Sequence, residues 1–172
     1  MAVKLAEDKK ENEIDFSKAR SLVEFSKMEI SDSDTLLGKR WLCRGGMAFL
    51  VAPSGIGKSV WSIQAAILWA CGIAAFDIET PHLVGLKILI IQAEDDEGDV
   101  IEMAGVVDNL GLTGAQKRLV DDNTVCVQVN SVSGPDFHPV LEHLISQWTP
   151  DLVILNPLNA YLGDDDKDQK PV

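Results

Sequence analysis

Residues 47–59 read Met-Ala-Phe-Leu-Val-Ala-Pro-Ser-Gly-Ile-Gly-Lys-Ser, and the last five of them combine the groups that hold a phosphate chain. Gly55 and Gly57 allow successive backbone N–H groups to turn inward around phosphate oxygens, where a Cβ would obstruct either the turn or the ligand. Lys58 supplies a cation for the β- and γ-phosphates, and Ser59 offers its hydroxyl to Mg²⁺. A helix starting here adds the positive end of its dipole. The residues expected around the phosphates are Pro53, Ser54, Gly55, Ile56, Gly57, Lys58, Ser59 and Val60. The ligand this chemistry implies is a nucleoside triphosphate with magnesium.

Such a loop works only between a strand and a helix, and the flanking residues predict both. Residues 48–52 are mostly apolar and suit a strand buried on two faces; the Ala-rich run 60–71 suits a packed helix. Ala52 occupies the position where the strict motif has Gly, and its methyl is small enough for the looser form. The plainer alternative, an ordinary turn between strand and helix, does not account for the register of strand, spacing and helix together.

The remaining chain supplies further strands whose ends meet such a loop. Residues 87–93, Lys-Ile-Leu-Ile-Ile-Gln-Ala, read as a second buried strand running into Glu94-Asp95-Asp96-Glu97. Carboxylates at the carboxyl end of a parallel strand lie on the ligand-binding edge of an open α/β sheet. Asp95, Asp96 and Glu97 read as charges at the amino end of a helix over 98–110, and Glu94, nearest the strand, as the site residue. Residues 124–129 read as a third strand, 137–148 as a helix with an apolar face, and 151–156, Asp-Leu-Val-Ile-Leu-Asn, as a fourth strand ended by Pro157. P-loop ATPases usually carry Asp at the end of this strand to order water on magnesium. Asn156 stands there instead, able to hydrogen-bond a metal-bound water but uncharged, which predicts weaker Mg²⁺ binding and turnover.

Ahead of the loop, residues 1–16 read as a disordered arm, 17–27 as a short helix with a weak apolar face, and 31–34 as a polar turn. The division is therefore an arm over 1–30 and one domain over 31–172. Residues 36–46 lead into the first strand, where Trp41 and Arg40 either approach a nucleotide base or, the better-supported reading, pack at the sheet edge. His138 and His143 lie five apart with no further ligand pair nearby, which argues against zinc. His82 is assigned no role.

At 172 residues, with 46% hydrophobic and 24% charged residues, the chain suits one well-buried α/β core. Its net charge of −12 argues against a generally basic nucleic-acid surface. Cys43, Cys71 and Cys126 are scattered and odd in number, as expected of reduced thiols in the cytoplasm. The amino terminus lacks an apolar secretory core, and the apolar run 60–76 is too short and too interrupted to span a bilayer.

Taken together, 40–46, the loop 52–59, Gln92-Ala93-Glu94-Asp95 and 151–158 followed by Tyr161-Leu162-Gly163 resemble the RecA-like ATPases of the RepA replicative-helicase type, over roughly residues 36 to 166. The resemblance implies a P-loop NTPase fold: a RecA-like parallel sheet flanked by helices that binds ATP and Mg²⁺. It also implies an oligomer, with nucleotide between subunits, coupled to movement on single-stranded DNA. By matching position, Lys58 and Glu94 carry catalysis, Glu94 by orienting or deprotonating the attacking water, and Ser59 and Asn156 hold the metal. In this family a further strand follows the Asp-Pro-Leu segment and lies between that strand and the loop strand. The sequence ends before it, so the resemblance implies an amino-terminal portion whose sheet order is third, second, fourth, gap, first. Such a portion exposes apolar surface and is expected to be poorly stable alone or to self-associate, with its DNA-contacting parts elsewhere.

Two functions stay open on these residues. One is the ATP-binding core of a helicase or a replication or recombination ATPase, weak in hydrolysis by itself. The other is a nucleotide-holding regulatory or scaffold module that does not hydrolyse. A small-molecule kinase fits less well, because no Arg-rich lid follows the loop. The absence of Asn-Lys-x-Asp, which selects guanine, favours adenine.

Overall fold

The computed structural model describes residues 19–29, 32–93 and 97–162. The chain divides into two compact units, Met1–Ser31 and Asp32–Val172. In the first, α1 (Leu22–Phe25) is a single turn closed by a reciprocal cap, with Ser21 Oγ accepting from the Glu24 N–H at 3.2 Å and Glu24 Oε2 accepting from the Ser21 N–H at 2.8 Å. The expected helix over 17–27 is this one turn among the described residues. Leu22, Val23 and Phe25 are exposed, and so short a helix needs packing of its apolar face to extend.

The second unit begins with a small antiparallel hairpin, β1 (Thr35–Leu37) and β2 (Leu42–Cys43). Its turn is made possible by left-handed backbone at Gly38 and Arg40, and Trp41 stands in that turn 56% exposed. Next come α2 (Lys58–Ala70), β3 (Ile88–Gln92), α3 (Glu97–Ala104), α4 (Val106–Asn109), α5 (Gly114–Asn123), β4 (Thr124–Gln128), α6 (Phe137–Trp148) and β5 (Leu152–Asn156). The single helix expected over 98–110 is broken into α3 and α4 at Gly105. Helix α5 is not among the expected elements, although Thr113 and Gln116 form a capping box at its start.

The strands β4, β3 and β5 make a parallel sheet in that order, the sequence order third, second, fourth that was expected. Every residue of β3 is buried, and strand periodicity of two divides its apolar side chains between two cores. Ile88 and Ile90, with Leu152 and Ile154, meet Ala65, Ala66, Trp69 and Ala70 of α2, and Leu36, Leu37 and Leu42 of the hairpin join this core. Leu89 and Ile91, with Val125, Val127, Val153 and Leu155, meet Leu141, Leu144 and Trp148 of α6. A third cluster joins Ile63 and Ile67 of α2 to Val107 of α4 and Val120 of α5. The unit is an α/β sandwich, a parallel sheet with helices packed on both faces. No described helix is long and apolar enough to cross a membrane.

The expected strand over 48–52 is not formed. Strand structure requires a ladder of backbone hydrogen bonds, and no described strand runs alongside these residues. The run leading to the loop is therefore irregular and exposed, with Met47 at 78%, Phe49 at 66%, Leu50 at 51% and Val51 at 88%.

The amino-terminal end of the sheet is fastened by Asp151. Its Oδ2 accepts from the Lys87 N–H at 3.0 Å, and its Oδ1 accepts from Arg44 Nη2 at 2.6 Å, tying β3, β5 and the segment after β2. Lys87 Nζ donates to the Trp148 carbonyl at 3.0 Å and stands 4.4 Å from the centre of that ring. Burial pushes the Asp151 carboxyl up, but the Lys87 N–H and the Arg44 and His82 charges outweigh it and hold it below its ordinary value. A lowered carboxyl pKa stabilises the fold fully above the unfolded value of 3.8, and this contribution is lost as pH falls through the lower folded value. Asp151→Asn is expected to remove about 1–2 kcal/mol at neutral pH. In urea titrations taken from neutral pH to below 3.8, the variant is expected to lose less stability than the wild type over that acid window.

Candidate functional site

The loop between residue 52 and α2 is shaped by two left-handed glycines, Gly55 at φ 78° and Gly57 at φ 91°. A Cβ on either would meet no atom within 4 Å, so backbone conformation rather than space requires glycine there. Ala52 is not among the residues of positive φ, consistent with a side chain being accepted at the motif's first position.

Gly57 is the N-cap of α2 and has no side-chain capping bond; the first helical hydrogen bond runs from the Trp61 N–H to the Gly57 carbonyl at 2.9 Å. Helix geometry then directs the N–H groups of Lys58, Ser59 and Val60 out of its amino end, where they and the dipole favour an anion. Lys58 folds back across the loop, and its Nζ donates to the carbonyls of Ala52 and Pro53, each at 2.8 Å. An ammonium has three donors, so one N–H is left to point at a ligand while the other two fix the side chain. The loop thus combines backbone donors and one anchored cation without any described carboxylate bonded to that cation.

Ser59 faces the end of β5. Asn156 Nδ2 donates to Ser59 Oγ at 3.0 Å and to Gln92 Oε1 at 2.7 Å, while the Ala93 N–H donates to the Asn156 carbonyl at 3.1 Å. The structure therefore brings together Ser59, Gln92 and Asn156 from three distant stretches of sequence, with Lys58 next to Ser59 in the loop. Glu94, the expected water-activating residue, lies outside the described residues; β3 delivers the chain to Ala93, immediately before it.

As a metal site the donor set is neutral, a hydroxyl and an amide. Among the described residues no group of three or more His, Cys, Asp or Glu could hold a metal ion. Mg²⁺ keeps several waters and commonly takes its remaining oxygens from one or two carboxylates and from substrate phosphates. Ser59 and Asn156 fit an ion brought by phosphates, rather than one held by the protein alone.

Sequence reasoning missed Gln92. It is fully buried, and its register partner across the sheet is Asn156. The available signal was a polar side chain ending each of two apolar strands, which marks the functional edge of a parallel sheet. His82, assigned no role, places Nε2 3.1 Å from the Thr35 carbonyl and so links the loop after α2 to the hairpin. His138 stands 3.8 Å from Glu142 on an exposed helix face. A cavity of about 260 Å³ at the ends of β3 and β4 is lined by Ala93, residues 129–133 and Ala160; none of the loop residues borders it.

The family described as an AAA domain matches residues 13–172. A search of the curated proteins finds no match.

The left-handed backbone at Gly57 gives a direct test of the loop. Gly57→Ala is expected to cost about 1–2 kcal/mol in chemical denaturation. Gly57→Asn is expected to recover part of that loss, because Asn tolerates left-handed backbone better than Ala.

Proposed function

We propose, from the premise that this chain belongs to the AAA-domain family, whose match covers nearly all of the sequence, that the nucleotide of this ATPase core is ATP with Mg²⁺, held at residues 53–60. The observation that carries the reading is the loop itself: two left-handed glycines, an uncapped helix end and a lysine fastened across the turn by the Ala52 and Pro53 carbonyls. The backbone N–H groups of Gly55 to Val60 surround phosphate oxygens, and Lys58 neutralises the terminal phosphates. Magnesium, when bound, offsets phosphate charge and draws electron density from the bond to be broken. Ser59 supplies its hydroxyl oxygen to that ion, and Asn156 contacts it directly or through its water. Glu94, two residues beyond the end of β3 in sequence, serves in this reading as the group that orients water or takes its proton.

The finer placement is a RecA-like ATPase of the RepA type, working in the cytoplasm as an oligomer on single-stranded DNA during replication or recombination. Support for it lies in the order and spacing of the loop, Gln92-Ala93-Glu94-Asp95 and 151–158, and in the strand order that brings the last two segments side by side. A second reading, a nucleotide-holding module without turnover, is favoured by one observation: Asn156 puts no charge beside Ser59. The Asn156→Asp variant separates the two, since gained ATP turnover supports the first reading and continued silence the second.

The loop assignment is tested by nucleotide binding. Loss of one charged hydrogen-bonding partner is worth about 1.5–3 kcal/mol, so Lys58→Ala is expected to weaken ATP binding by roughly 10- to 100-fold in calorimetry. Equal affinity in both proteins would rule the assignment out.

A further inference from the structure

Residues 75–78 form a two-residue hairpin turn, the Ala75 N–H donating to the Ile78 carbonyl at 3.0 Å and the Ile78 N–H to the Ala75 carbonyl at 2.9 Å. Both central residues are left-handed, Phe76 at φ 50° and Asp77 at φ 63°. Turns of this kind favour Asn-Gly, because both central positions need positive φ. Asp tolerates that backbone, but for a side chain as large as Phe it is an outlier that the surroundings must hold in place. Here Trp69 Nε1 donates to the Ile78 carbonyl at 2.9 Å and the Gly38 N–H donates to the Glu79 carbonyl at 2.7 Å, pinning the turn to α2 and to the β1–β2 hairpin. Phe is thus a poor residue for the turn itself, and what it brings there is its ring.

That ring stacks on Trp61, with centroids 5.2 Å apart and planes 19° from parallel, while Trp69 meets Trp61 edge-on at 6.2 Å and 81°. Trp61 makes the first hydrogen bond of α2, from its N–H to the Gly57 carbonyl at 2.9 Å. The residue that Phe76 covers is therefore the one that closes the turn carrying the N–H groups of Lys58, Ser59 and Val60. Helix ends fray, and no side chain caps this one. Phe76, 49% exposed, holds it from outside the helix.

We infer that Phe76 is a positioning residue for the phosphate loop: its ring, set on Trp61 by a strained turn, keeps the first turn of α2 closed and its N–H groups directed at a phosphate. This rests on the reading that those N–H groups bind the phosphates of a nucleotide. Without the ring the closed turn is only a fraction of the population, and apparent affinity falls in proportion to that fraction. The coupling of an aromatic pair sets the size of the change at about 2- to 10-fold.

The test measures MgATP affinity by calorimetry and stability in urea for Phe76→Gly and Phe76→Tyr. Glycine removes the ring and relieves the left-handed backbone, so affinity is expected to fall about 2- to 10-fold in a protein that still folds. Phe76→Tyr keeps the stacking face and is expected to bind as the wild type does. Affinity unchanged in Phe76→Gly, whatever its stability, is the signature of packing alone and overturns the inference, as does an equal loss in Phe76→Tyr. ATP affinity that Lys58→Ala leaves unchanged overturns the phosphate reading instead, so the two failures are distinct. Should Phe76→Gly not fold, Phe76→Leu keeps apolar bulk without a stacking face. Its Trp61 amide is expected to exchange hydrogen about 2- to 10-fold faster than in the wild type, and unchanged exchange overturns the proposal.

Discussion

The parallel pairing of β3 with β5, five rungs from Ile88 beside Leu152 to Gln92 beside Asn156, fixes where the polar ends of both strands stand and seats α2 against the sheet. Because side chains alternate along a strand, this single register sends Ile88 and Ile90 into the core under α2 and Leu89 and Ile91 into the core under α6. A slip of one residue would exchange the two sets and would move Asn156 away from Ser59. Burial of β3 on both faces makes that slip costly, since four large apolar side chains would each meet the wrong core. The chemistry at the carboxyl edge is thus held in place by packing well below it.

β5 is fastened at one end and functional at the other. Asp151 binds the Lys87 N–H and Arg44 at the amino end, and Asn156 meets Ser59 at the carboxyl end, a strand's length away. Yet β5 lies at an edge of the described sheet, and all five of its residues are only half-buried. The approach to the phosphate loop is more exposed still, with Val51 at 88%. The loop depends on its own glycines, on α2 and on the two Lys58 bonds, not on a strand leading into it.

A chain of net charge −12 suited to a polyanion looks contradictory only at long range. Exposed charges more than about 8 Å apart are largely screened at physiological ionic strength. What a phosphate meets within that distance is the amino end of α2, with its directed N–H groups, and the Lys58 ammonium. Those fixed dipoles need no reorganisation to face the ligand, so a few oriented groups outweigh a diffuse negative surface.

Much of this arrangement was legible in the residues alone. Gly55, Gly57 and Lys58 predict a tight turn with a cation beside it, because left-handed backbone and side-chain charge are local requirements, and the structure has both left-handed glycines and Lys58 bonded across the turn. The extents of α2, β3, β4, α6 and β5 follow from local apolar periodicity and end within two residues of the expected positions. Four features did not follow. The β1–β2 hairpin and α5 draw on turn and capping residues that hydrophobic pattern does not rank. Residues 48–52 have the composition of a strand, but a strand exists only beside a partner, and that is a property of the whole sheet. The Gln92–Asn156–Ser59 contacts needed three stretches to converge, since a hydrogen bond of 2.7 Å between residues 64 apart depends on register, which only the folded sheet decides.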